Sequence, residues 1–398
     1  MSSRRLAVAA ALAAALVAAP AAGAQAPPDL STAAAAILID ARDGTVLLER
    51  DAGERRSIAS TTKLMTALLA LERARPREQF VAPRYDALPV ESKIDLRAGE
   101  TMTVADLLEA LLLESANDAA VTIAEGVSGS RSTFVADMNT RAGELGLEDT
   151  SYANPIGLDD PLNYSTARDL SSLASLLLRR RRFARIVDMP SAVLASGARR
   201  RVVNNRNGLV SQYPFVDGVK TGFTARAGNV LVGSGSERGA QVVSVVMGEP
   251  TEAERDADTL ALLRYGLSQF RRRRVLDEDR AVTSAAIEYR DERALLKPAH
   301  GLNVTVRRGQ RVRRSVDVPD ELEGPLDAGA RVGTVSVYRG GDLVRRVAVV
   351  TASDVPGAGF LRVFTSALGV PLTLLALLGI FLAAALRFRA VGRKKTTR

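Results

Sequence analysis

The amino-acid sequence predicts an α+β fold, an antiparallel sheet with a helical block, followed by a small all-β domain and a C-terminal transmembrane helix. Three observations predict it. Strand-like runs lie towards both ends of residues 30–270, at 34–49 and at 228–247. Between them, apolar residues recur at helical spacing after cap-forming Thr, Ser and Asp residues. Beyond four consecutive arginines at 271–274, the pattern changes to short β-like runs and then to one long apolar run.

Residues 1–24 have the layout of a secretory signal. Arg4 and Arg5 precede an Ala/Leu/Val run, and Ala22-Gly23-Ala24 is a small-x-small cleavage site, so export and removal are expected. The first domain, 30–270, opens with a hairpin turning at Asp43-Gly44. It leads into Ala59-Ser60-Thr61-Thr62-Lys63, where Leu64, Met65, Leu68 and Leu69 predict an interior helix starting at Ser60. Residues 85–99 read as loop. Thr103 and Asp106 form a capping box for a helix that buries Leu107, Leu108, Leu111, Leu112 and Leu113. That helix ends at the polar turn Glu114-Ser115-Ala116-Asn117-Asp118, before another helix from Ala119. A helix over 132–144 follows, then a turn-rich crossing at 152–158. Thr166 and Asp169 cap a helix ending in the basic run 179–182, a placement that the helix dipole favours.

On a strand, Lys220-Thr221-Gly222 puts Lys220 and Gly222 on one face and Thr221 on the other. A twist or bulge is expected there if all three serve one site. Strands at 228–233 and 241–247 join around Glu237-Arg238-Gly239, and Thr251 and Glu254 cap a helix running to about Phe270. The small β domain spans about 275–355, with Gly340-Gly341-Asp342 as a hairpin turn. Residues 363–386 are 24 positions without a charge. At 1.5 Å per residue they make a helix of about 36 Å, enough to span a bilayer with some tilt. The tail at 387–398 carries Arg387, Arg389, Arg393, Lys394, Lys395 and Arg398, which marks that end as cytoplasmic. A single-pass membrane protein is expected, with the bulk of the chain outside the cytoplasm.

Composition narrows the chemistry. The chain has no Cys and one His, so cysteine nucleophiles, disulfides and Cys-ligated zinc are excluded. His300 lies in a turn-like context far from Ser60, so a serine enzyme here would draw its base from a lysine. The net charge of +9 owes part of its size to the tail, and aromatics are only 4%, a pattern unlike a nucleic-acid-binding surface. No metal or organic cofactor is expected. Ser60 and Lys63 are three apart, so Oγ and Nζ share a helix face. Burial would lower the lysine pKa and make it a base for the serine. Ser60 as a helix cap with an exposed Lys63 is the alternative. Ser115 and Asn117 likewise suit either a cleft or a cap. Lys220 and Thr221 offer a charge and a hydroxyl suited to a carboxylate, and Gly222 allows close approach.

Taken together, Ser60-x-x-Lys63, Ser115-x-Asn117 and Lys220-Thr221-Gly222 resemble the motif set of penicillin-recognising serine acyltransferases. With Asn154-Pro155-Ile156-Gly157-Leu158 and the segments at 164–170 and 216–224, the chain resembles the D-alanyl-D-alanine carboxypeptidases, the low-molecular-mass penicillin-binding proteins. The resemblance covers about 30–270, and more loosely the β-rich segment. It implies the penicillin-binding, serine β-lactamase-like transpeptidase fold. It also implies that Ser60 attacks the penultimate D-Ala carbonyl of a peptidoglycan stem peptide, with Lys63 as base. Ser115 and Asn117 would relay protons and position substrate, and Lys220 and Thr221 would hold the terminal carboxylate. Backbone N–H groups of Ser60 and Phe223 would form the oxyanion hole. β-Lactams are the implied inhibitors. Two departures stand out: Ile156 replaces the frequent His, and the anchor reads as a span rather than an amphipathic helix. A D-Ala endopeptidase shares this machinery. A serine β-lactamase usually has Ser-Asp-Asn and a Glu where Asp159 stands. A penicillin-binding sensor or wall-tethering protein is the non-enzymatic alternative, and the oligomeric state is open.

Overall fold

The structure, a computed structural model, describes residues 26–393, so the predicted signal at 1–24 and the last five residues of the basic tail lie outside it. The chain forms two compact units that meet at Gln269/Phe270.

In the first unit, β1 (Ala35–Asp40) and β2 (Val46–Arg50) form the predicted hairpin, with Gly44 at φ +72° in the turn. After β3 (Arg56–Ser57), a 3-10 turn over Ala59–Thr62 runs into α1 (Lys63–Arg73). The short strands β4 (Gln79–Val81) and β5 (Thr101–Thr103) pair across the long loop between them. Then come α2 (Val104–Glu109), a π-helical turn over Ala110–Glu114, α3 (Asn117–Ser128) and α4 (Arg131–Glu144). Strand β6 (Tyr164–Ser165) pairs with β3. It leads to α5 (Ala167–Leu178), α6 (Arg181–Val187), the ribbon β7 (Ser191–Leu194) and β8 (Arg201–Asn204), and α7 (Leu209–Gln212). The unit closes with β9 (Val216–Thr224), β10 (Gly228–Glu237), β11 (Ala240–Glu249) and α8 (Glu252–Ser268).

The central sheet has the order β2-β1-β11-β10-β9 and is antiparallel throughout. First and last strands therefore meet in its middle, as the sequence pattern requires. β1 is buried at all six positions because both faces are covered. Ile37, Ile39, Val243 and Val245 enter the core shared with the helical block. The alternate residues Leu38 and Val242 lie against Gly266 of α8 on the other face. The caps form where the sequence places them: Thr103, Thr166 and Thr251 accept from the backbone N–H of Asp106, Asp169 and Glu254.

Four expectations are corrected. The α-helix begins at Lys63, not Ser60, because the chain enters it through the tighter turn. The basic run 179–182 is divided: exposed Arg179 caps the end of α5 as expected, but Arg181 already starts α6. The last helix stops at Ser268, and Phe270 begins a strand. Lys220–Thr224 pairs with β10 without a register shift, and the irregularity lies instead at Ser234/Gly235.

In the second unit, β12 (Phe270–Leu276) carries the arginines 271–274 as strand rather than linker, five residues before the expected start of the β domain. It pairs with β15 (Leu302–Arg307). A six-stranded sheet contains β13 (Thr283–Ile287), β14 (Arg293–Pro298), β16 (Val312–Asp317), β17 (Glu321–Leu322), β18 (Arg331–Arg339) and β19 (Asp342–Thr351). Its core is aliphatic, built on Leu296, Val335, Val337, Val347 and Val349. Gly340 and Gly341 both have positive φ and form the predicted turn. A cavity of about 750 Å³ here is lined by Arg273, Arg274, Arg280 and Arg314, with Asp277 paired to Arg274. His300 is exposed. The helix α9 (Phe360–Arg393) is broken at Gly369, whose φ of +74° and ψ of 155° are not helical. The 24-residue run is therefore not one continuous helix. Its apolar stretch Pro371–Phe388 has 18 residues of mean hydropathy 2.0, only 6% of them buried. That length is about 27 Å, still close to a bilayer core.

The loop between β4 and β5 is held by a buried ion pair. Arg201 donates to both oxygens of Glu100 at 2.7 and 3.0 Å, and its Nε donates to the Ile94 carbonyl at 2.8 Å. The Arg201 guanidinium holds the Glu100 carboxyl down at about 2, against an ordinary 4.5. Because the folded value is the lower one, this stabilisation is complete above about 4.5 and is lost as pH falls towards 2. Glu100→Ala strands a buried guanidinium and is expected to destabilise the first unit by roughly 3–5 kcal/mol in urea unfolding. Acid sensitivity of that transition between pH 4.5 and 2 should shrink in the variant.

Candidate active site

The site is built around the 3-10 turn before α1. Ala59 sits at φ +47°, a left-handed conformation that is uncommon for a residue with a Cβ. It turns the chain so that Ser60 stands at the mouth of α1. Lys63 Nζ lies 2.9 Å from Ser60 Oγ and donates at 2.5 Å to the Ile156 carbonyl. Ser60 makes no side-chain cap bond, and Lys63 is fully buried. The capping alternative with an exposed lysine is thereby excluded.

Two glycines allow other segments to reach Ser60. A Cβ on Gly157 would lie 2.0 Å from the Ala59 carbonyl oxygen, and Gly157 also has φ +91°. A Cβ on Gly222 would lie 3.1 Å from Ser60 N. β9 lies at one end of the sheet and is in contact with the turn, on the side to which a Cβ at Gly222 would point. Lys220 and Gly222 share that face by strand alternation, with Lys220 only 1% exposed. The crossing segment is held by Asn154, whose Oδ1 accepts from the N–H groups of Ile156, Gly157 and Leu158. Thr66 donates to the Pro155 carbonyl at 2.7 Å, and Asn163 donates to Thr62. Together these bonds present the Ile156 carbonyl to Lys63.

The third wall is the turn at Glu114–Asn117. The π-helical turn adds a residue to the coil and delivers Ser115 in the left-handed region, at φ +62°. Ser115 Oγ and Asn117 Oδ1 are buried and have no protein partner among the described residues. Their side chains do not cap: Ser115 ends the π-helical turn through its backbone N–H alone, and the N-cap of α3 is Ala116. Asn117 Nδ2 instead donates to Glu91 at 2.6 Å. Glu91 also accepts from the Tyr85 hydroxyl, and from Leu88 N at 3.0 Å.

The electrostatics follow from these positions. Burial, and then the charge of Lys220, pull the Lys63 ammonium well below its ordinary range. Arg206 adds to that, while Glu91 and Asp118 oppose it. Lys220 is lowered to about 7 by burial and by Arg206 and Arg255, and its Nζ donates to the Thr221 carbonyl at 2.8 Å. Burial also favours neutral Glu91, but the bonds from Tyr85 and Asn117 win and hold its carboxyl below the ordinary value. A serine beside an amine whose charged form is disfavoured, with a second lysine near the cation/neutral boundary, suits nucleophilic attack on a carbonyl next to a carboxylate.

The structure thus brings Ser60, Lys63, Lys220 and Gly222 together. Asn117 is linked to this charge environment through Glu91, which touches Asn117 and acts on Lys63, and Ser115 lies two residues before it on the same turn. Thr221 is 8% exposed and Phe223 is 63% exposed, at the lip of β9. Sequence reasoning missed Glu91, Tyr85, Arg206 and the carbonyl of Ile156. Glu91 lies in an unpatterned loop, and a backbone carbonyl leaves no trace in side-chain identity. Asp159 is held by Thr224 at 2.7 Å, which ties it to the end of β9.

Comparison with known proteins agrees with this geometry. Residues 21–251 match the family model described as D-alanyl-D-alanine carboxypeptidase, and residues 270–357 match the penicillin-binding protein 5 C-terminal domain. The chain is 30% identical over 347 residues to D-alanyl-D-alanine carboxypeptidase DacF of Bacillus subtilis, covering 85% of this chain and 89% of that one. It is 31% identical over 345 residues to DacA of Escherichia coli K12, covering 81% and 84%. Among solved structures, penicillin binding protein 5 from Haemophilus influenzae matches with a TM-score of 0.60 at 29% identity, covering 84% of this chain and all of that one.

The approach at Gly157 gives a direct test of the geometry. Gly157→Ala puts a methyl onto the Ala59 carbonyl and strains a positive φ, which costs on the order of 1–3 kcal/mol. Ser60 should lose most of its reactivity towards a serine-directed acylating reagent while thermal unfolding shifts by only a few degrees. Unchanged labelling would mean that the turn does not depend on this contact.

Proposed function

The chain belongs to the D-alanyl-D-alanine carboxypeptidase family, and we propose from that premise how its residues perform the reaction of a serine-type D-Ala-D-Ala carboxypeptidase. The observation that carries the proposal is the 2.9 Å contact between Ser60 Oγ and a buried, cation-disfavouring Lys63 Nζ. The substrate is a peptidoglycan stem peptide ending in D-Ala-D-Ala. Ser60 Oγ bonds to the carbonyl carbon of the penultimate D-Ala, and its proton passes to Lys63. The C–N bond then breaks, the proton reaches the leaving amine, and D-Ala departs. Water attacks the ester, a proton returns to Ser60, and the shortened peptide leaves.

Backbone N–H groups of Ser60 and Phe223 stabilise the oxyanion. In support, the strand lies so close to the turn that a Cβ at Gly222 would come within 3.1 Å of Ser60 N. Lys220 and Thr221 hold the terminal carboxylate. Ser115 Oγ and Asn117 Oδ1 have no partner among the described residues and serve proton relay and substrate positioning. β-Lactams acylate Ser60 by the same route.

Thr224's hold on Asp159 counts against a β-lactamase-like water activation by that residue. The apolar stretch Pro371–Phe388 anchors the protein in the bacterial cell membrane as a single span, with the catalytic unit on the extracytoplasmic side.

The mechanism is tested with the detergent-solubilised chain and a fluorescent penicillin. Wild type should be labelled and should release D-Ala from a pentapeptide mimic, while Ser60→Ala should do neither. A variant labelled as well as wild type sinks the mechanism, and penicillin turnover without D-Ala release would favour the β-lactamase instead. For the anchor, the protein should remain in the membrane fraction through alkaline carbonate washing, and release into the supernatant would refute the span.

A further inference from the structure

The loop that carries Glu91 is fixed at several points close to Asn117. Asp118, the next residue on α3, accepts from the N–H groups of Ile94 and Leu96. Asn117 N donates to the Ser92 carbonyl at 2.7 Å, and Glu100 is locked to Arg201. The Glu91 carboxylate therefore meets the Asn117 side chain in a defined place, at 2.6 Å. None of the three sequence motifs contains it.

We propose that Glu91 is a positioning residue for acyl transfer, fixing which end of the Asn117 amide serves the site. A carboxylate only accepts hydrogen bonds, so the amide must turn its NH₂ group towards Glu91. Oδ1 is then left on the buried side, where no protein donor reaches it among the described residues. Asn117 accordingly enters the reaction as an acceptor, for an N–H of the bound peptide or for Lys63 while it carries the proton taken from Ser60. The Tyr85 hydroxyl and Leu88 N hold the carboxylate in place and keep it ionised.

Glu91 also acts on Lys63 through space. The charged groups facing Lys63 are Lys220 from β9 and Arg206 from the segment before α7, which disfavour its proton, and Asp118 from α3 and Glu91, which favour it. Removing the Glu91 charge leaves Lys63 neutral down to a lower pH. The inference rests on the acyl-transfer reading of Ser60 and Lys63, so its test has one arm that needs no activity.

In the kinetic arm, acylation of the full chain in detergent by a fluorescent penicillin is followed against pH for wild type, Glu91→Gln and Glu91→Ala. A Gln can face Asn117 with either end of its amide, so the orientation is no longer forced. Both variants should acylate about tenfold more slowly, with the acid limb moved to lower pH, and Glu91→Asp should recover part of the rate. A merely structural role would lower the unfolding temperature and leave the acid limb in place. In the second arm, the Asn117 side-chain NH₂ resonance of ¹⁵N-asparagine-labelled protein should shift as Glu91 is protonated in acid, and Glu91→Gln should abolish that shift. Wild-type rates and limb in the variants, or an Asn117 resonance indifferent to Glu91, overturn the inference. A wild type that is never labelled refutes the acyl-transfer reading, and the resonance still decides the Glu91 contact.

Discussion

A buried lysine without an acidic partner is the constraint on which the site depends. Lys63 is inside the protein, bonded to a serine hydroxyl and a backbone carbonyl. Neither contact neutralises an ammonium, and Lys220 repels it further. The inexpensive solution for the protein is to let Lys63 lose its proton, which leaves a base within reach of Ser60. The energy that ordinarily holds a lysine charged in water is converted into readiness for proton transfer. Acidic groups temper this without cancelling it, since Glu91 and Asp118 act through space rather than as ion pairs with Lys63.

Such a site demands that segments distant in the chain come close to one turn, and backbone chemistry permits it. Gly157 and Gly222 are the points where a side chain would collide with the Ala59–Ser60 peptide. Ala59 and Ser115 take left-handed conformations at two of the three walls. Strain of that kind persists only where surrounding structure over-determines it. Here α1 is buried along its first eight residues, Asn154 ties the crossing segment with one oxygen, and the sheet holds Lys220–Thr224 of β9 in unbroken register.

Much of the fold was legible because period and capping are local properties. The Asp43-Gly44 turn, the caps at Thr103, Thr166 and Thr251, and the apolar runs of β1 and β11 each depend on a few neighbouring residues. The motif residues were legible as chemistry, because a chain with no Cys and one remote His leaves few ways to activate a serine. Less legible were features set by more distant contacts. The ribbon β7–β8 is anchored by Arg201 on a glutamate 101 positions away. The break at Gly369 splits a run that composition alone reads as continuous.

By itself, the sequence determined the nature of the reacting groups, the order of the central strands and the capped helices, and an apolar segment near the end. Side-chain identity and short-range periodicity are enough for those. Only the tertiary structure decided that Lys63 is buried rather than exposed and that Ile156 offers it a carbonyl. Only it showed that the side chains of Ser115 and Asn117 do no capping and that Glu91 holds Asn117. Each of these is a contact or a burial between residues far apart in the chain. Desolvation and hydrogen-bond geometry, which set the pKa of a lysine and the orientation of an amide, exist only once those residues meet.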